Sequence, residues 1–208
     1  MQPEAIVLAA EAGAVGAAAA VVALGLYVSP RPPMRLDVEA IALRGQGVPL
    51  AACFTLLGRW YSITLLLAIA FAINLSLHRE PWALLAIALV QLGSQSLGGA
   101  LKHAFHRLRP DHWIVWREAD TSYPSGHATT ATAFYLALFL LAWHATGLPN
   151  EMRGLALGFC AACTLGLPWS RLALGAHYLS DVAGGLLSGF AWLCALVALA
   201  ELTGLKFL

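Results

Sequence analysis

Long apolar runs alternate with short polar stretches along the whole chain. A helix needs about 20 apolar residues to cross a hydrocarbon core of about 30 Å, and runs of roughly this length recur along the sequence. The predicted spans cover residues 5–28, 60–77, 82–101, 128–147, 152–169 and 177–203. The first contains Glu11 and the second is short, so a five-helix core with a peripheral first helix is the alternative arrangement.

The composition indicates that these helices lie in a membrane. Hydrophobic residues make up 60% of the 208 residues and charged residues only 11%, which is more apolar surface than a soluble domain can bury. The net charge of +1 gives no basis for a nucleic-acid partner. Because no long polar linker or repeat divides the chain, residues 1–208 are predicted to form one all-α, integral membrane bundle of six transmembrane helices.

The longest polar connection covers residues 29–59 and begins SPRPPMR. Its prolines end the first span, and the following LDVEAIALR is apolar at helical spacing. We therefore expect a short interfacial helix between spans one and two. Arg59, near the end of this connection, is interpreted as a cation that reaches the lipid headgroups, with a substrate role as the alternative.

Two other connections are rich in ionisable groups, and the count of spans places them on the same side of the membrane. The connection between spans three and four reads LKHAFHRLRPDHWIVWREADTSYPSGH, and the one between spans five and six reads PWSRLALGAHYLSD. Charged groups at a membrane edge are costly, so such a cluster indicates a functional site.

Three cations in these connections predict a binding site for a polyanion. Lys102 and Arg109 are seven residues apart, which on a continuous helix places them on one face, about 10 Å apart along the axis. Together with Arg171 they can converge on one phosphate, because the guanidinium fork matches phosphate oxygens and lysine adds a compact charge.

The stretch Pro124-Ser125-Gly126-His127 at the start of span four completes the predicted phosphate site. A helix start offers free backbone N–H groups and the positive end of a helix dipole. Pro124 presets the turn and Gly126 allows close approach of the backbone to an oxygen, while Ser125 can cap the helix and donate to the ligand.

The two histidines of these motifs differ in their neighbours. His177 and Asp181 have the spacing of one helical turn, so the carboxylate can accept from one ring nitrogen and leave the other unprotonated, as a nucleophile requires. His127 has no carboxylate at that spacing and is a candidate proton donor to the departing oxygen. Alone, each residue is more often a cap, a surface cation or a packed polar group.

Lys102-x6-Arg109-Pro110, Pro124-Ser125-Gly126-His127 and Ser170-Arg171-x5-His177-x3-Asp181 together resemble the three-part signature of the type 2 phosphatidic acid phosphatase family. Three motifs with fixed spacings in order are far more specific than PSGH alone. The resemblance implies a six-helix phosphatase for lipid phosphates that uses no metal or other cofactor. It implies a phosphohistidine on His177, oriented by Asp181, and His127 as general acid. The implied phosphate-binding residues are Lys102, Arg109, Ser125, Gly126 and Arg171.

Within this family, a compact chain most resembles the bacterial undecaprenyl diphosphate phosphatases, which return a lipid carrier to its monophosphate. Phosphatidylglycerophosphate, phosphatidic acid and lipid A phosphates stay open as substrates, because relatives that act on them share the motifs. Several further polar residues are interpreted as solvated and interfacial, with contact to a second phosphate as the alternative; they are His103, His106, Arg107, His112, Arg117 and Asp120.

Two other classes of function stay open. The same motifs resemble the vanadate pocket of vanadium haloperoxidases, although six spans argue against that class, and a non-enzymatic lipid transporter could also use intramembrane cations. The charge count favours a cytoplasmic site, since Arg31, Arg35, Arg44, Arg107 and Arg117 share its side, against Arg79, Arg153 and Lys206 on the other. The resemblance implies the opposite face. We expect a bacterial inner-membrane protein with a periplasmic site and both termini cytoplasmic; the oligomeric state stays open.

Overall fold

The computed structural model describes residues 3–77, 81–111, 113–114, 118–144 and 148–204, and these ranges contain helices and connecting turns but no strand. The helices, in chain order, are α1 (Pro3–Val28), α2 (Arg35–Glu39), α3 (Val48–Leu57), α4 (Trp60–Ser76), α5 (Trp82–Phe105), α6 (Gly126–His144), α7 (Asn150–Ala173) and α8 (Leu179–Thr203). A 3₁₀ turn, Ala40–Leu43, follows α2, and α6 contains a π-helical segment, Ala131–Leu136.

The predicted all-α membrane fold is confirmed. Helices α1, α5, α6, α7 and α8 are long and apolar enough to cross a membrane. Helix α4, the predicted second span, has 17 residues and is therefore about 25 Å long. The segments Arg35–Leu43 and Val48–Leu57 form an apolar pair bent by 111°. The described residues thus hold five spans, or six if the bent pair is one.

The connection between α1 and α4 contains the predicted short helix as α2, and also a second helix, α3, that was not predicted. Gly45 and Gly47 have φ angles of 82° and 57°, which glycine adopts without strain. These two residues turn the chain between α2 and α3. Helix α3 then packs against α7. The connection that was predicted to contain one short helix is therefore a folded layer at the end of the bundle that holds the polar motifs.

Helix α8 organises the bundle, because α1 packs along its length and α6 lies against it. A Cβ atom at Gly185 would lie 2.3 Å from the carbonyl oxygen of Ser125, and one at Gly189 would lie 1.9 Å from Thr132 Oγ1. Only glycine permits this approach, which fixes the start of α6 against α8. Helix α1 packs against the core rather than lying apart from it, although only 17% of its most apolar 18-residue stretch is buried.

Hydrogen bonds from α5 hold the start of α6 from the other side. Gln91 Nε2 donates to Thr130 Oγ1 at 2.9 Å, and Gln95 Nε2 donates to the same oxygen at 3.0 Å and to the Gly126 carbonyl at 3.2 Å. Below them, α5, α6, α7 and α8 enclose an apolar core around Ile87, Phe134, Leu167 and Leu193. The ends of these four helices therefore bring the polar motifs together.

Candidate active site

The three predicted cations converge, but not by the helical geometry expected. Helix α5 ends at Phe105 and His106 adopts a left-handed conformation with φ 47°, so Arg109 lies beyond the helix that carries Lys102. The prediction of one continuous helical face was wrong. Arg109 is instead fixed by two backbone carbonyls, donating from Nε to Asp120 O at 2.8 Å and from Nη1 to Ala176 O at 3.0 Å.

Carboxylates from the segment before α6 lie among these cations. Glu118 accepts from Arg109 at 2.8 Å and from Arg171 at 2.7 Å. Asp120 pairs with Lys102 and with Arg109. We call these five residues, Lys102, Arg109, Arg171, Glu118 and Asp120, the open cluster. A phosphate group entering here must displace these carboxylates, because their oxygens already occupy the donors that would bind phosphoryl oxygens.

Ser125 stands at the N-cap position of α6, but its side chain forms no cap hydrogen bond, so this part of the prediction was wrong. Its backbone N–H donates to Asp181 O at 3.0 Å, and its carbonyl accepts from Thr129 N at 3.0 Å. Ser125 Oγ is buried and has no hydrogen-bond partner within the described part of the chain. A buried hydroxyl without a partner is costly, so this group is available to a ligand. Gly126 lies close to Gln95, whose Oε1 would be 3.2 Å from an added Cβ.

His127 is held by a residue that was not predicted. Its Nε2 lies 3.1 Å from the backbone carbonyl of Thr55 in α3, so Nε2 carries a proton. The side chain of Thr55 accepts from Arg171 Nη1 at 3.2 Å. The unpredicted helix α3 thus connects the second and third motifs through one residue.

His177 and Asp181 approach each other, although His177 precedes α8 rather than forming part of it. The distance from His177 Nδ1 to Asp181 Oδ2 is 3.6 Å, which is too long for a hydrogen bond. Oδ2 accepts instead from the backbone N–H of Tyr178 at 2.9 Å. The predicted helical pairing was therefore wrong in its geometry but right in the residues it joined. On the other side of the ring, His177 Nε2 accepts from Arg109 Nη1 at 2.8 Å.

The sequence was interpreted as placing Arg107 among solvated interfacial residues, and this interpretation was wrong. Only 4% of the Arg107 side chain is exposed, and it pairs with Asp181 Oδ1 at 2.6 Å and with Asp37 Oδ2 at 3.0 Å. Its guanidinium also lies over the ring of Tyr178, 4.6 Å from the centroid. Asp37, in α2, is likewise buried. Arg107, which lies outside the predicted catalytic set, therefore contacts Asp181, and Asp37 contacts Arg107.

Burial and the neighbouring cations determine the charge states outside the spans. Burial lowers the pKa of His177 well below its ordinary value, and the charges of Arg109, Arg171 and Lys102 lower it further. The imidazole is therefore neutral at pH 7. Burial acts to raise the pKa of Asp120, but the hydrogen bond from Lys102 and the charges of Lys102 and Arg109 outweigh it, so the net pKa of this carboxyl is lowered.

The other polar positions divide in their placement. His103 and His106 are exposed, as interpreted. Asp120 is exposed but belongs to the open cluster. Arg59 is half-buried and within electrostatic range of His127 and Arg171, which brings it closer to the site than a headgroup cation. His112, Arg117, Arg79 and Lys206 lie outside the described residues.

A cavity of about 500 Å³ lies at the opposite end of the bundle from these residues. It is enclosed by the second half of α4, the start of α5, the end of α6 and the start of α7. The described residues that line it are apolar except Asn74. None of these lining residues is charged, unlike those of the open cluster at the other end of the bundle.

These features define a multi-pass membrane protein with a cationic pocket around two histidines. Residues 82–203, more than half of the chain, match the PAP2 superfamily, and the chain belongs to that family. Among its relatives, the lipid A 1-phosphatase of Rhizobium johnstonii is 37% identical over 113 residues, which cover 50% of this chain and 41% of that protein. The decaprenylphosphoryl-5-phosphoribose phosphatase of Mycobacterium tuberculosis is 34% identical over 129 residues, covering 60% and 64%.

The fold is also that of a solved structure. The crystal structure of a transmembrane PAP2 type phosphatidylglycerolphosphate phosphatase from Bacillus subtilis superposes with a TM-score of 0.75, at 22% sequence identity, and covers 95% of this chain and 100% of that one. This likeness establishes the arrangement of helices. The chain spans less than two thirds of the length of either relative above.

Proposed function

We propose that this protein hydrolyses a lipid phosphate or diphosphate through a phosphohistidine on His177. The observation that carries the proposal is the placement of His177 between two charged groups. Its Nε2 is 2.8 Å from Arg109 in the open cluster, and its Nδ1 is directed at Asp181. The unprotonated Nε2 of a neutral imidazole at this position can attack phosphorus once Arg109 turns from Nε2 to the phosphoryl oxygens.

The chemistry then follows in two displacements. Lys102, Arg109 and Arg171 bind the phosphoryl oxygens in place of the carboxylates, with Ser125 Oγ as a further donor. His177 Nε2 forms a bond to phosphorus as the bond to the lipid oxygen breaks, and His127 gives that oxygen a proton. In the second step His127 takes a proton from water, the water oxygen bonds to phosphorus, and the N–P bond breaks. Asp181 stabilises the positive charge on His177 in both steps.

The hydrogen bond between His127 and Thr55 O sets a condition for the proton transfer. If Nε2 is the donor, it must leave the Thr55 carbonyl; if Nδ1 is the donor, the ring must hold two protons. Either route makes His127 a proton donor only when the substrate is bound and its leaving oxygen is within reach.

The reaction is proposed to need no metal, because three cations stand where other phosphatases place divalent ions. We expect phosphate release to continue in EDTA. A loss in EDTA that Mg²⁺ or Mn²⁺ reverses would assign the charge-neutralising role to a metal instead.

The proposed substrate is undecaprenyl diphosphate, hydrolysed to undecaprenyl phosphate and phosphate at the outer face of a bacterial inner membrane. A relative named for a decaprenylphosphoryl substrate supports a polyprenyl chain. A second candidate is the 1-phosphate of lipid A, which the name of the 37% identical relative favours. A panel of purified lipids, with phosphatidylglycerophosphate and phosphatidic acid included and ranked by kcat/KM, tests both.

The decisive experiment is phosphate release by the purified protein and by a His177→Ala variant. Since the nucleophile is needed for every substrate, we expect a loss on the order of 10³-fold or more. His144→Ala is the matched control, because this exposed histidine ends α6 far from the site. Retained activity in His177→Ala contradicts the proposal. A protein that binds lipid without releasing phosphate is a transporter, and bromide oxidation with vanadate indicates a haloperoxidase.

The proposed orientation has its own test. Reporters that work only in the periplasm or only in the cytoplasm, fused to the C-terminus, distinguish the two faces. We expect the cytoplasmic reporter to be active; activity of the periplasmic reporter contradicts the orientation.

A further inference from the structure

Four buried polar residues form one hydrogen-bonded group behind His177. Arg107 Nη1 donates to Asp181 Oδ1 and to Ser180 Oγ, both at 2.6 Å, and Nη2 donates to Asp37 Oδ2 at 3.0 Å. Asp37 Oδ1 accepts from the backbone N–H and the hydroxyl of Ser180, each at 2.8 Å. We call Asp37, Arg107, Ser180 and Asp181 the buried cluster, since none is more than 4% exposed.

The hydrogen bond from Arg107 gives the two carboxylate oxygens of Asp181 different partners. Oδ1 is held by the guanidinium, whereas Oδ2 lies on the side of His177 Nδ1. A carboxylate held at one oxygen by a planar, buried arginine cannot rotate freely. Arg107 at Oδ1, together with the backbone N–H of Tyr178 at Oδ2, therefore determines which oxygen of Asp181 faces the histidine.

The charge of the buried cluster explains why Asp37 is present. Arg107 and Asp181 alone form a neutral pair, and a neutral pair gives little stabilisation to a cation on His177. With Asp37 the cluster holds two carboxylates and one guanidinium, so its net charge is −1. In a low-dielectric interior this difference of one charge is felt strongly.

We propose that Arg107 and Asp37 are positioning residues for the reaction: Arg107 orients Asp181, and Asp37 restores the negative charge that Arg107 would otherwise cancel beside His177. The proposal rests on the proposed function, in which His177 becomes positively charged when it bonds to phosphorus.

The surroundings of His177 make that negative charge necessary. The open cluster holds three cations to two carboxylates, and its cations lower the pKa of His177. When phosphate displaces the carboxylates, the buried cluster is the source of protein negative charge at the Nδ1 side. Titratable and charged groups face His177 from every element packed against it. They are Asp37 and Arg44 (α2 and the turn after it), Lys102, Arg107 and Arg109 (α5 and the segment after it), Glu118 and Asp120 (the segment before α6), His127 (α6), Arg171 (α7), and Tyr178 and Asp181 (the start of α8).

A purely structural role predicts a different outcome from a positioning role. Asp37 also ties α2 to α8 through Ser180, so its loss lowers stability in either case. Only a positioning role changes the chemical step and the titration of His177 while leaving phosphate binding intact. Glu39→Gln is the matched control, because this carboxylate lies on the same helix and pairs with exposed Arg35.

The kinetic arm uses Asp37→Asn, which keeps the shape of the side chain. We expect its single-turnover rate to fall about 10-fold to 100-fold, as for outer partners of reacting groups, with KM and inhibition by inorganic phosphate within about twofold of the parent protein. Asp37→Asn/Arg107→Gln returns the net charge of the cluster to −1, so we expect its loss to be smaller than the product of the two single losses.

The second arm follows the pKa of His177 by ¹⁵N NMR of the unliganded, histidine-labelled protein, with His177→Ala to assign the signal. Asp37→Asn removes a negative charge and lowers the pKa of His177; Arg107→Gln removes a positive charge and raises it. Glu39→Gln leaves it unchanged. Shifts in the same direction, or no shifts, overturn the proposal. No lipid is involved in this titration, so a failed phosphatase assay and a failed positioning role give different results.

Discussion

Two groups of ion pairs meet at His177, and they differ in the exposure of their acidic members. In the buried cluster both carboxylates are inaccessible to solvent. In the open cluster the cations are largely buried, but the side chain of Asp120 is 52% exposed and that of Glu118 is 27% exposed. The same residue types are thus arranged as an internal scaffold on one side of the histidine and as an accessible surface on the other.

The difference in exposure decides which pairs can be exchanged. Breaking a buried pair leaves an uncompensated charge and destabilises a protein by about 3–5 kcal/mol, whereas an exposed pair contributes about 0.2–1 kcal/mol. The buried cluster must therefore stay intact through turnover. Under the proposed function, the more exposed carboxylates of the open cluster exchange with phosphoryl oxygens, so the buried cations are paired both before and after a ligand enters.

The largest expected effect comes from breaking the buried cluster at Asp181. Asp181→Asn retains the shape of the side chain but removes the charge that orients and stabilises His177, so we expect single-turnover rates to fall on the order of 10³-fold or more, equally for lipid monophosphate and diphosphate. Phosphate release after rapid mixing measures this. Glu151→Gln, at the exposed start of α7, is the control. A strong preference for one substrate in the loss would contradict an action through His177.

His127 lies outside both clusters, and its expected effect depends on the leaving group. A lipid monophosphate releases an alkoxide that needs a proton, whereas a lipid diphosphate releases a phosphate monoester that is already a stable anion. We expect His127→Ala to slow monophosphate hydrolysis about 10²-fold, within the range for general acids, and diphosphate hydrolysis much less. Single-turnover rates on lipid-matched substrates check this, and equal losses would reject the general-acid role.

The sequence predicted which cations come together in the open cluster better than it predicted their geometry. Lys102, Arg109 and Arg171 were identified from motif spacing. The end of α5 at Phe105 was not, because no glycine or proline lies between Phe105 and Pro110 and the left-handed turn falls on a histidine. Backbone carbonyls then place Arg109, and such contacts have no local sequence pattern.

Sequence reasoning identified Asp181 but missed the residues of the buried cluster that surround it. Asp37 and Arg107 are 70 residues apart, and each looked like an ordinary polar residue of its own segment. The signals were two acidic residues in the otherwise apolar run LDVEAIAL, of which Asp37 is the buried one, and a second arginine inside the first motif. Thr55 gave a weaker signal in the sequence, since it lies within the apolar run ACFTLL. Only the packing of α2 and α3 over the bundle end brings these residues to the histidines.

The open cluster should respond to loss of a carboxylate by binding phosphate more tightly. Asp120→Asn removes a competitor for Lys102 and Arg109, so we expect KM and the inhibition constant of orthovanadate to fall several-fold, with the single-turnover rate nearly unchanged. Asp111→Asn, an exposed residue of the same segment, is the control. Weaker vanadate binding in Asp120→Asn would instead make this carboxylate a support for the cations.

The smallest expected effect is a shift in the pH dependence of kcat/KM. It tests the difference in charge between the two clusters on either side of His177. Neutral His177 is the reactive form, and burial followed by the charges of Arg109, Arg171 and Lys102 lowers its pKa, so protonation of His177 removes activity only well below pH 6.5. Lys102→Met takes away one of those cations and raises the pKa of His177 by a fraction of a pH unit. Its kcat/KM should therefore decline at a higher pH than that of the parent protein. Since the substrate phosphate titrates identically with both proteins, we compare kcat/KM of Lys102→Met with that of the parent protein, from pH 7 down to the lowest pH at which both stay folded. We expect the ratio of the variant's value to the parent's value to fall as the pH is lowered towards the pKa of His177. A ratio that does not change with pH would mean that the open cluster binds phosphate without acting on the charge of His177.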